Sequence, residues 1–318
     1  MSFSTDIKNE VTRVDNNKEE LISELSAIVR NSADVSKDII IYIENNSVAR
    51  RIFKLFKSIY DISPIITVRK KYFNNGFSYI LTIKYKKDEI LDDLSIVKNN
   101  NYYNIPMEYI ISDEDLVRAY LRGLFLVSGS VNDPKTSRYH LELIVDNIEY
   151  AEFINKLLND NDLNSKIIKR EKKYMVYIKE AEKISDFLRL IKAYNGVMYY
   201  EDIRIYRDHK NMTNRLNNCE QANMDKIFLT ASSQIKDIEK LKEYDMLDLI
   251  DEKIKLVIDY RLKYPESSLS ELSEIIFMEK GIRISKSGLN HRFRKIREIV
   301  ANLENKWYNF FVYKESAF

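Results

Sequence analysis

The sequence predicts an α+β protein in two parts, a repeated unit of helices and strands followed by an all-α region. Two observations predict this division. The order helix, strand, helix, strand, strand, helix occurs twice before residue 205, and helical apolar periodicity dominates residues 245–304. Only 6 glycines and 4 prolines occur in 318 residues, and neither GxGxxG nor GxxxxGK[ST] is present. The sequence therefore argues against Rossmann and P-loop nucleotide-binding folds.

Composition limits the class of protein further. Apolar residues make up 45% and charged residues 31%, which suits a globular chain with a sizeable core and a soluble surface. The net charge is only +2, so attraction for nucleic acid must come from local clustering. A single cysteine excludes an intramolecular disulfide, and there is no apolar signal core or membrane-spanning run. We expect a cytoplasmic protein without a cofactor or a metal site.

The repeated unit spans about residues 17–100 and 112–195. Leu25 corresponds to Leu121 and Ala49 to Ala151, so the second copy has additional residues in its first loop. Ser112 is predicted to cap the first helix of the second copy, and Asn195-Gly196 to stop its last helix. In the first copy the pattern predicts helices over 17–35 and 46–61, strands over 38–43, 64–71 and 77–87, a hairpin turn at 73–76 and a short closing helix.

A basic segment near the C-terminus is the strongest local charge cluster. Residues 280–297 contain seven lysines and arginines and no acid. Within a helix predicted over 286–303, one face is apolar: Leu289, Phe293, Ile296, Val300 and Leu303. Arginine and asparagine suit base edges and cations suit phosphates, so the predicted DNA-binding residues are Lys286, Ser287, Asn290, His291, Arg292, Arg294, Lys295 and Arg297.

The elements around this segment have the order of a helix-turn-helix. A short helix, a turn at Gly281 and the basic helix would place the second helix in the major groove of DNA. The alternative is that the charges only form a solvated helix face.

The segment LRGLFLVSG (121–129) fits the spacing of the LAGLIDADG homing-endonuclease motif, with leucine first and glycines third and ninth. The first copy offers LSAIVRNSA (25–33), which places Ala27 opposite Gly123 and Ala33 opposite Gly129. In that family two such helices lie side by side, and small residues let their backbones approach closely. Ala27, Gly123 and Gly129 are therefore the predicted packing residues.

The catalytic positions of that motif are altered. In the family, an acid at the eighth position holds a divalent metal, because hard cations require charged oxygen ligands. Here the eighth positions are Ser32 and Ser128, and a neutral hydroxyl is a poor Mg²⁺ ligand. We predict a nuclease-like fold without catalytic or metal-binding residues. The alternative is a divergent metal-dependent endonuclease that uses Asp34 or Asp133.

Both predicted hairpins are basic. In nucleases of this fold such strands form a saddle over DNA, and phosphate attraction could retain that contact. The alternatives are that the lysines only keep the sheet edges soluble, or that the domain binds a protein. The candidate secondary DNA contacts are Arg69, Lys70, Lys71, Lys169, Arg170, Lys172 and Lys173.

Residues 206–244 are predicted to form an asparagine-rich linker followed by a helix of about four turns from Asn223. The amides of this segment either contact DNA or hold the domains together. Cys219 is expected to be a small packed thiol. The aromatic tail, 305–318, is expected either to cover apolar surface of the last domain or to bind a partner.

Together, four segments are similar to the WhiA family of bacterial DNA-binding regulators, which joins a degenerate LAGLIDADG domain to a C-terminal helix-turn-helix. They are YLRGLFLVSGSVNDP (120–134), YHLEL (139–143), NRLNNCEQANMDK (214–226) and ISKSGLNHRFRKI (284–296). With this resemblance, the predicted domains are a two-repeat LAGLIDADG-like domain over 1–205, a linker and connecting helix over 206–244, a helix-turn-helix domain over 245–304 and the aromatic tail.

The resemblance implies a non-catalytic transcriptional regulator linked to cell division, chromosome segregation or sporulation. Its implied partner is double-stranded DNA in the nucleoid, with an RNA polymerase sigma factor or another regulator as a candidate protein partner. A scaffold that acts mainly through protein contacts is the remaining alternative. Because two repeats supply the pseudo-twofold within one chain, a monomer is expected.

Overall fold

The predicted order of helices and strands occurs twice in the first of two units, which comprises residues 1–208. The second unit comprises residues 209–318. The computed structural model describes residues 2–70, 76–98, 101–136 and 138–315, so Lys71 and most of the predicted turn at 73–76 lie outside the described residues.

The first copy follows an N-terminal helix, α1 (Phe3–Val11). A short hairpin and a 3-10 helix (Glu108–Ile110) follow the copy. The elements of the copy are α2 (Lys18–Ser32), β1 (Ala33–Asp34), β2 (Ile39–Ile43), α3 (Asn46–Tyr60), β3 (Ile65–Lys70), β4 (Phe77–Ile83) and α4 (Lys87–Asp93), and the hairpin that follows consists of β5 (Val97–Lys98) and β6 (Asn101–Tyr102).

The second copy repeats this order with slightly different lengths. Its elements are α5 (Glu114–Ser128), β7 (Gly129–Val131), β8 (Leu141–Val145), α6 (Ile148–Asn159), β9 (Lys166–Arg170), β10 (Lys173–Ile178) and α7 (Ala181–Leu190).

The two copies build two antiparallel sheets of the same topology. The strand orders are β1-β2-β4-β3 and β7-β8-β10-β9. On the inner face of each sheet, paired apolar side chains are fully buried, Ile41 opposite Leu81 and Leu143 opposite Val176. This alternation of buried and more exposed residues is the period-2 pattern that the sequence shows, and the predicted repeat is confirmed.

The helices α2 and α5 lie side by side in the core of the first unit. The backbone of Glu24 on α2 approaches Gly123 so closely that a Cβ at position 123 would overlap the Glu24 carbonyl oxygen. The predicted role of Gly123 in close helix packing agrees with this geometry. At Gly129, the first residue of β7, the atoms nearest to an added Cβ belong to Phe125 of the preceding helix α5, so α5 itself limits the space there.

Two predictions about helix ends are wrong. The side chain that caps α5 is Asp113, which accepts a hydrogen bond from the Leu116 amide, and not Ser112. Asn195-Gly196 does not stop a helix but lies in the first turn of α8 (Tyr194–Glu243). The amides of both residues donate to the carboxylate of Glu10 on α1, at 2.7 and 2.9 Å. A first turn leaves its amides free for such a partner.

The linker predicted before Asn223 is also wrong, because α8 is one continuous helix of 50 residues. No glycine or proline occurs between Gly196 and Pro265, so nothing in this stretch breaks a helix. Asparagine lowers helix propensity by well under about 1 kcal/mol per residue, which is too little to unfold the segment. The asparagine-rich composition therefore does not mark a linker here.

The second unit is helical throughout its described part and has its own apolar core. None of the described helices has an apolar stretch that could span a bilayer. In addition to the later part of α8, the second unit contains a 3-10 helix (Leu247–Leu249), α9 (Glu252–Lys263), α10 (Leu269–Lys280) and α11 (Lys286–Glu315).

Candidate nucleic-acid interface

The basic helix α11 has the two faces that the sequence predicts. Its apolar face is buried against α9 and α10, with Leu289, Phe293, Ile296 and Val300 at most 4% exposed. The other side chains of the cluster remain at the surface, and Arg292 is half-buried. Those exposed are Lys286, Ser287, Asn290, His291, Arg294, Lys295 and Arg297.

Local interactions fix where α11 begins. Gly281 ends α10 in the left-handed conformation, with φ of 69°, which glycine adopts without strain. The Ser273 hydroxyl donates to the carbonyl of Ile284 and ties α10 to the turn. Ser285 then caps α11, since its hydroxyl accepts the Gly288 amide at 3.2 Å. This cap fixes the first turn of α11 immediately after the turn at Gly281.

The helices α9 and α10 are joined by a charged cluster around Glu279. Its carboxylate accepts hydrogen bonds from Lys263 at 2.8 Å, from the Tyr264 hydroxyl at 2.6 Å and from the Tyr260 hydroxyl at 2.9 Å. These hydrogen bonds, and above all the one from Lys263, lower the pKa of Glu279 to about 2. The carboxylate stays ionised at neutral pH and helps to hold the framework on which α11 lies.

The exposed residues of α11 are not equivalent. Arg297 is tied to α8, because its guanidinium donates to the Ser233 hydroxyl at 2.6 Å and to Asp237 at 3.2 Å. Arg294 has weaker restraints, 3.2 Å from a ring nitrogen of His291 and 3.8 Å from Glu298. At 100° per residue, Ser287, His291 and Arg294 lie furthest from the buried face among the predicted DNA-binding residues, and the exposed Glu298 lies on the same side of the helix. These three side chains therefore project away from the buried face, towards solvent.

The two altered motif positions have matching environments. The Ser32 hydroxyl donates to the Ile28 carbonyl at 2.6 Å, and the Ser128 hydroxyl donates to the Leu124 carbonyl at 3.0 Å. Each hydroxyl proton is thus bound to its own helix, four residues earlier. Asp34 accepts the Ser36 amide, an interaction that lowers its pKa, and Asp133 accepts the Lys135 amide.

Ion-binding geometry is not found around these positions. Within the described ranges, no group of three or more His, Cys, Asp or Glu residues is arranged to hold a metal ion. Asp34 and Asp133 each accept a hydrogen bond from a backbone amide two residues later in the chain.

The outer faces of the two sheets are mainly apolar. Ile144, Met175 and Ile168 form one row across the second sheet, and Tyr42 lies beside Ile80 in the first. Tyr42 is 57% exposed and Ile168 is 49% exposed. These faces therefore combine aromatic and aliphatic surface with cations only towards their ends.

The basic hairpin residues are distributed over both faces. The strand alternation places Arg69, Arg170 and Lys173 on the outer faces, and Lys70 and Lys169 on the opposite faces. Lys173 forms an ion pair with Asp146 at 2.9 Å. Lys172 is exposed in the turn of the second hairpin.

A buried ion cluster was missed by the sequence reasoning. Glu24 accepts two hydrogen bonds of 2.8 Å from Arg51 and one of 3.2 Å from Arg122. Glu24 and Arg122 are completely buried. A charge inside the apolar run of α5 was the available signal, since arginine rarely occurs inside a core unless it is paired.

The asparagine-rich segment lies in the middle of α8. All of its predicted polar residues are exposed: Asn214, Arg215, Asn217, Asn218 and Asn223. Cys219 is exposed as well, so the expectation of a packed thiol is wrong. The aromatic tail continues α11 as far as Glu315, and its covering role stays a prediction.

Family models match both units. The model of the WhiA N-terminal LAGLIDADG-like domain matches residues 18–97, the WhiA LAGLIDADG-like domain matches 117–210 and the WhiA C-terminal HTH domain matches 213–300. The last match begins inside α8, so it includes the asparagine-rich segment.

Relatives match along almost the whole chain. Proteins named probable cell division protein WhiA, from Staphylococcus saprophyticus and Staphylococcus aureus, are 40% and 39% identical over 311 residues, which cover 96% of this chain and 98% of theirs. The crystal structure of full-length DUF199/WhiA from Thermatoga maritima has a TM-score of 0.57 at 24% identity, covering 95% of this chain and 99% of that one. It shows the same fold.

A second solved structure supports the first unit. The crystal structure of the N-terminal LAGLIDADG domain of DUF199/WhiA has a TM-score of 0.50 at 27% identity, and covers 60% of this chain and 90% of that chain. The chain therefore belongs to the WhiA family, with that family's LAGLIDADG-like domains in its first unit and its helix-turn-helix in its second.

Proposed function

We propose that this chain is a non-catalytic, sequence-specific DNA-binding transcriptional regulator that reads the major groove through α11. One observation carries the proposal: α11 buries its apolar face and exposes Ser287, Asn290, His291 and Arg294, within a run of eighteen residues that has seven cations and no acid. An α-helix with side chains is about 10–12 Å wide, which matches the width of the major groove.

The side chains of this face have different proposed roles. Arg294 and Asn290 are suited to bidentate hydrogen bonds with guanine and adenine, and Ser287 can bond either base type. Lys286 and Lys295 are suited to phosphates, which contribute affinity but little specificity. Because Arg297 is bound by Ser233 and Asp237, we assign it to positioning α11 rather than to reading bases.

The altered nuclease motif supports the non-catalytic part of the proposal. At the positions where carboxylates would bind a metal, Ser32 and Ser128 donate their protons to their own helices. Regulation of cell division genes agrees with the names of the relatives. Chromosome segregation, sporulation, cytoplasmic location and a monomeric state remain predictions.

The test starts from in vitro selection of duplexes from a random library with the full-length protein. Binding of the selected duplex is then titrated at a fixed salt concentration for wild type, Arg294→Ala and Lys253→Ala. Arg294→Ala is expected to lower the affinity by about 1 to 3 kcal/mol and to relax the base preference at one position. Lys253→Ala removes an exposed cation from α9 and is expected to bind nearly as wild type.

Unchanged affinity of Arg294→Ala would count against α11 as the reading helix. Enzymatic activity is tested separately by incubation of plasmid DNA with the protein and Mg²⁺ or Mn²⁺. Metal-dependent cleavage that is lost on Asp34→Asn or Asp133→Asn would overturn the non-catalytic assignment.

A protein-binding role for the first unit is the second candidate. The outer sheet faces favour it, because exposed Tyr42, Ile65 and Ile168 suit a protein interface better than a phosphate backbone. A sigma factor or another regulator is a candidate for this contact, and the basic hairpins remain candidates for secondary DNA contacts. Lys169→Glu would weaken DNA binding only if the hairpins touch DNA.

A further inference from the structure

A cavity of about 340 Å³, lined by polar side chains together with the apolar Ile227 and Leu269, lies in the second unit at the starts of α10 and α11. Its walls carry three cations, Lys226 of α8, Arg261 of α9 and Lys286 of α11. Hydroxyl groups line the same cavity, among them Thr230 and Ser270, and no carboxylate is among the lining residues. The cavity therefore has the composition of an anion site.

Arg261 is the most unusual of these residues. It is only 1% exposed, and its guanidinium lies over the ring of Phe293 at 5.5 Å. One of its terminal nitrogens donates to the carbonyls of Ser267, at 2.6 Å, and Tyr264, at 3.4 Å. In the part of the chain that the structure describes, the Nε of Arg261 has no hydrogen-bond partner and no acid acts on its charge.

The lack of a counter-ion distinguishes Arg261 from two of the buried arginines of the first unit, Arg51 and Arg122, whereas Arg30 of that unit, like Arg261, donates to backbone carbonyls. Arg51 and Arg122 share the carboxylate of Glu24. Burial lowers the pKa of Arg261, with no neighbouring acid to offset that effect. A buried cation is stable only when it is paired or well hydrogen-bonded, so this site favours an anion from outside the chain.

The start of α10 adds a second attraction for anions. A helix N-terminus carries partial positive charge and amides that have no partner within the helix. Ser268 and Glu271 form a capping box, which engages the Glu271 carboxylate with the Ser268 amide at 2.7 Å. The nearby Asp225 carboxylate accepts a hydrogen bond from Gln221. These two acids are bound to groups of their own helices.

We propose that this cavity binds a phosphate group, and that the phosphate comes from the backbone of the DNA duplex that α11 reads. The proposal rests on the proposed DNA-binding function. Lys286 connects the cavity to the proposed reading helix, because it lines the cavity and is also the first exposed residue of α11. In this assignment the cavity fixes the position of α11 along the groove, while Arg294 and its neighbours distinguish bases.

The experiment measures the affinity of the full-length protein for the selected duplex and for an unrelated duplex of equal length, over a series of KCl concentrations. Lys226→Gln is expected to weaken both complexes by the same factor and to reduce the slope of log K against log [KCl] by about 1. Lys253→Gln removes a charge from α9 outside the cavity and is expected to keep the wild-type slope.

Two further variants separate binding from folding. Ser270→Asp places a negative charge in the cavity but in the first turn of α10, where acids stabilise a helix, so the protein should fold and bind DNA more weakly. Ser270→Asn is the neutral isostere of that aspartate, and we expect it to weaken DNA binding less than Ser270→Asp does, because it adds no charge. Arg261→Met keeps an apolar contact with Phe293 and removes the buried charge. We expect its melting temperature to be at or above that of wild type while its DNA affinity falls.

A second arm distinguishes the source of the phosphate. Melting of the protein without DNA is followed with inorganic phosphate and with chloride at equal ionic strength. A stabilisation by phosphate that Lys226→Gln abolishes, with an unchanged salt slope on DNA, would assign the site to a free phosphorylated ligand and overturn the DNA-backbone assignment. If the wild type binds duplexes while Lys226→Gln and Ser270→Asp change neither the DNA affinity and its salt slope nor the stabilisation by inorganic phosphate, the cavity is not a phosphate site. If wild type binds no duplex, the proposed function fails instead.

Discussion

Gly123 lies against the backbone of Glu24 where α5 crosses α2. The carbonyl of Glu24 occupies the space that a Cβ at residue 123 would need, while its carboxylate binds Arg51 and Arg122. One residue of α2 therefore sets the distance between the two central helices through its backbone and anchors a buried ion cluster through its side chain.

Gly123→Ala should destabilise the first unit. The added methyl group meets backbone rather than a flexible side chain, so the helices must separate, at a cost of about 1 to 3 kcal/mol. Urea unfolding followed by circular dichroism measures this change. Arg118→Ala, on the exposed side of the same helix, is the control and should change the free energy of unfolding by less than about 0.5 kcal/mol. Equal stability of the two variants would show that the helix crossing does not depend on the glycine.

Glu24→Ala should be more damaging, because it leaves two buried arginines without their shared carboxylate. Loss of one partner of a buried ion pair costs about 3 to 5 kcal/mol. Arg122→Met should cost less, since two of its terminal nitrogens have no hydrogen-bond partner in the described structure and methionine fills a similar volume. Urea unfolding of both variants tests this order, and a larger loss for Arg122→Met would contradict it.

Much of the fold could be predicted from the sequence. Period-2 and helical apolar patterns located both copies of the repeat, because each strand and helix buries one face, as Ile41 and Phe293 do. The spacing LxGxxxxxG identified α5, where close backbone approach requires Gly123. The exposed and buried faces of α11 also followed from spacing alone.

Other features could not be predicted because they depend on contacts between distant segments. The continuous α8 and the helix α1 are joined by the Glu10 carboxylate, and no local pattern marks that pairing. The restraint of Arg297 by Asp237 likewise requires α8 and α11 to be adjacent. From the sequence alone, Arg261 would be taken for an ordinary exposed cation of α9, whereas the structure buries it.

Arg297 and Asp237 should be energetically coupled. Asp237 is largely buried, with a side chain 17% exposed, while that of Arg297 is 60% exposed, so the pair should contribute about 0.5 to 1 kcal/mol. A double-mutant cycle with Arg297→Ala and Asp237→Ala measures the coupling directly. Urea unfolding followed by circular dichroism gives the free energies of the four proteins in the cycle. If the two substitutions change the free energy of unfolding additively, Arg297 and Asp237 are not coupled and Arg297 does not position α11.

Glu279 should make the stability of the helix-turn-helix depend on pH in the acid range. Its folded pKa of about 2, set first by Lys263, lies below its ordinary value of 4.5. A depressed carboxyl pKa contributes stability that is present above the unfolded value and is lost as the pH falls through the folded value. Glu279→Gln should therefore melt below wild type at pH 7, and this difference should shrink between pH 4.5 and pH 2. Melting curves of both proteins, followed by circular dichroism, measure the difference, and Glu274→Gln controls for removal of a charge from α10. A difference that stays constant down to pH 2 would show that the Glu279 carboxylate does not hold α9 and α10 together.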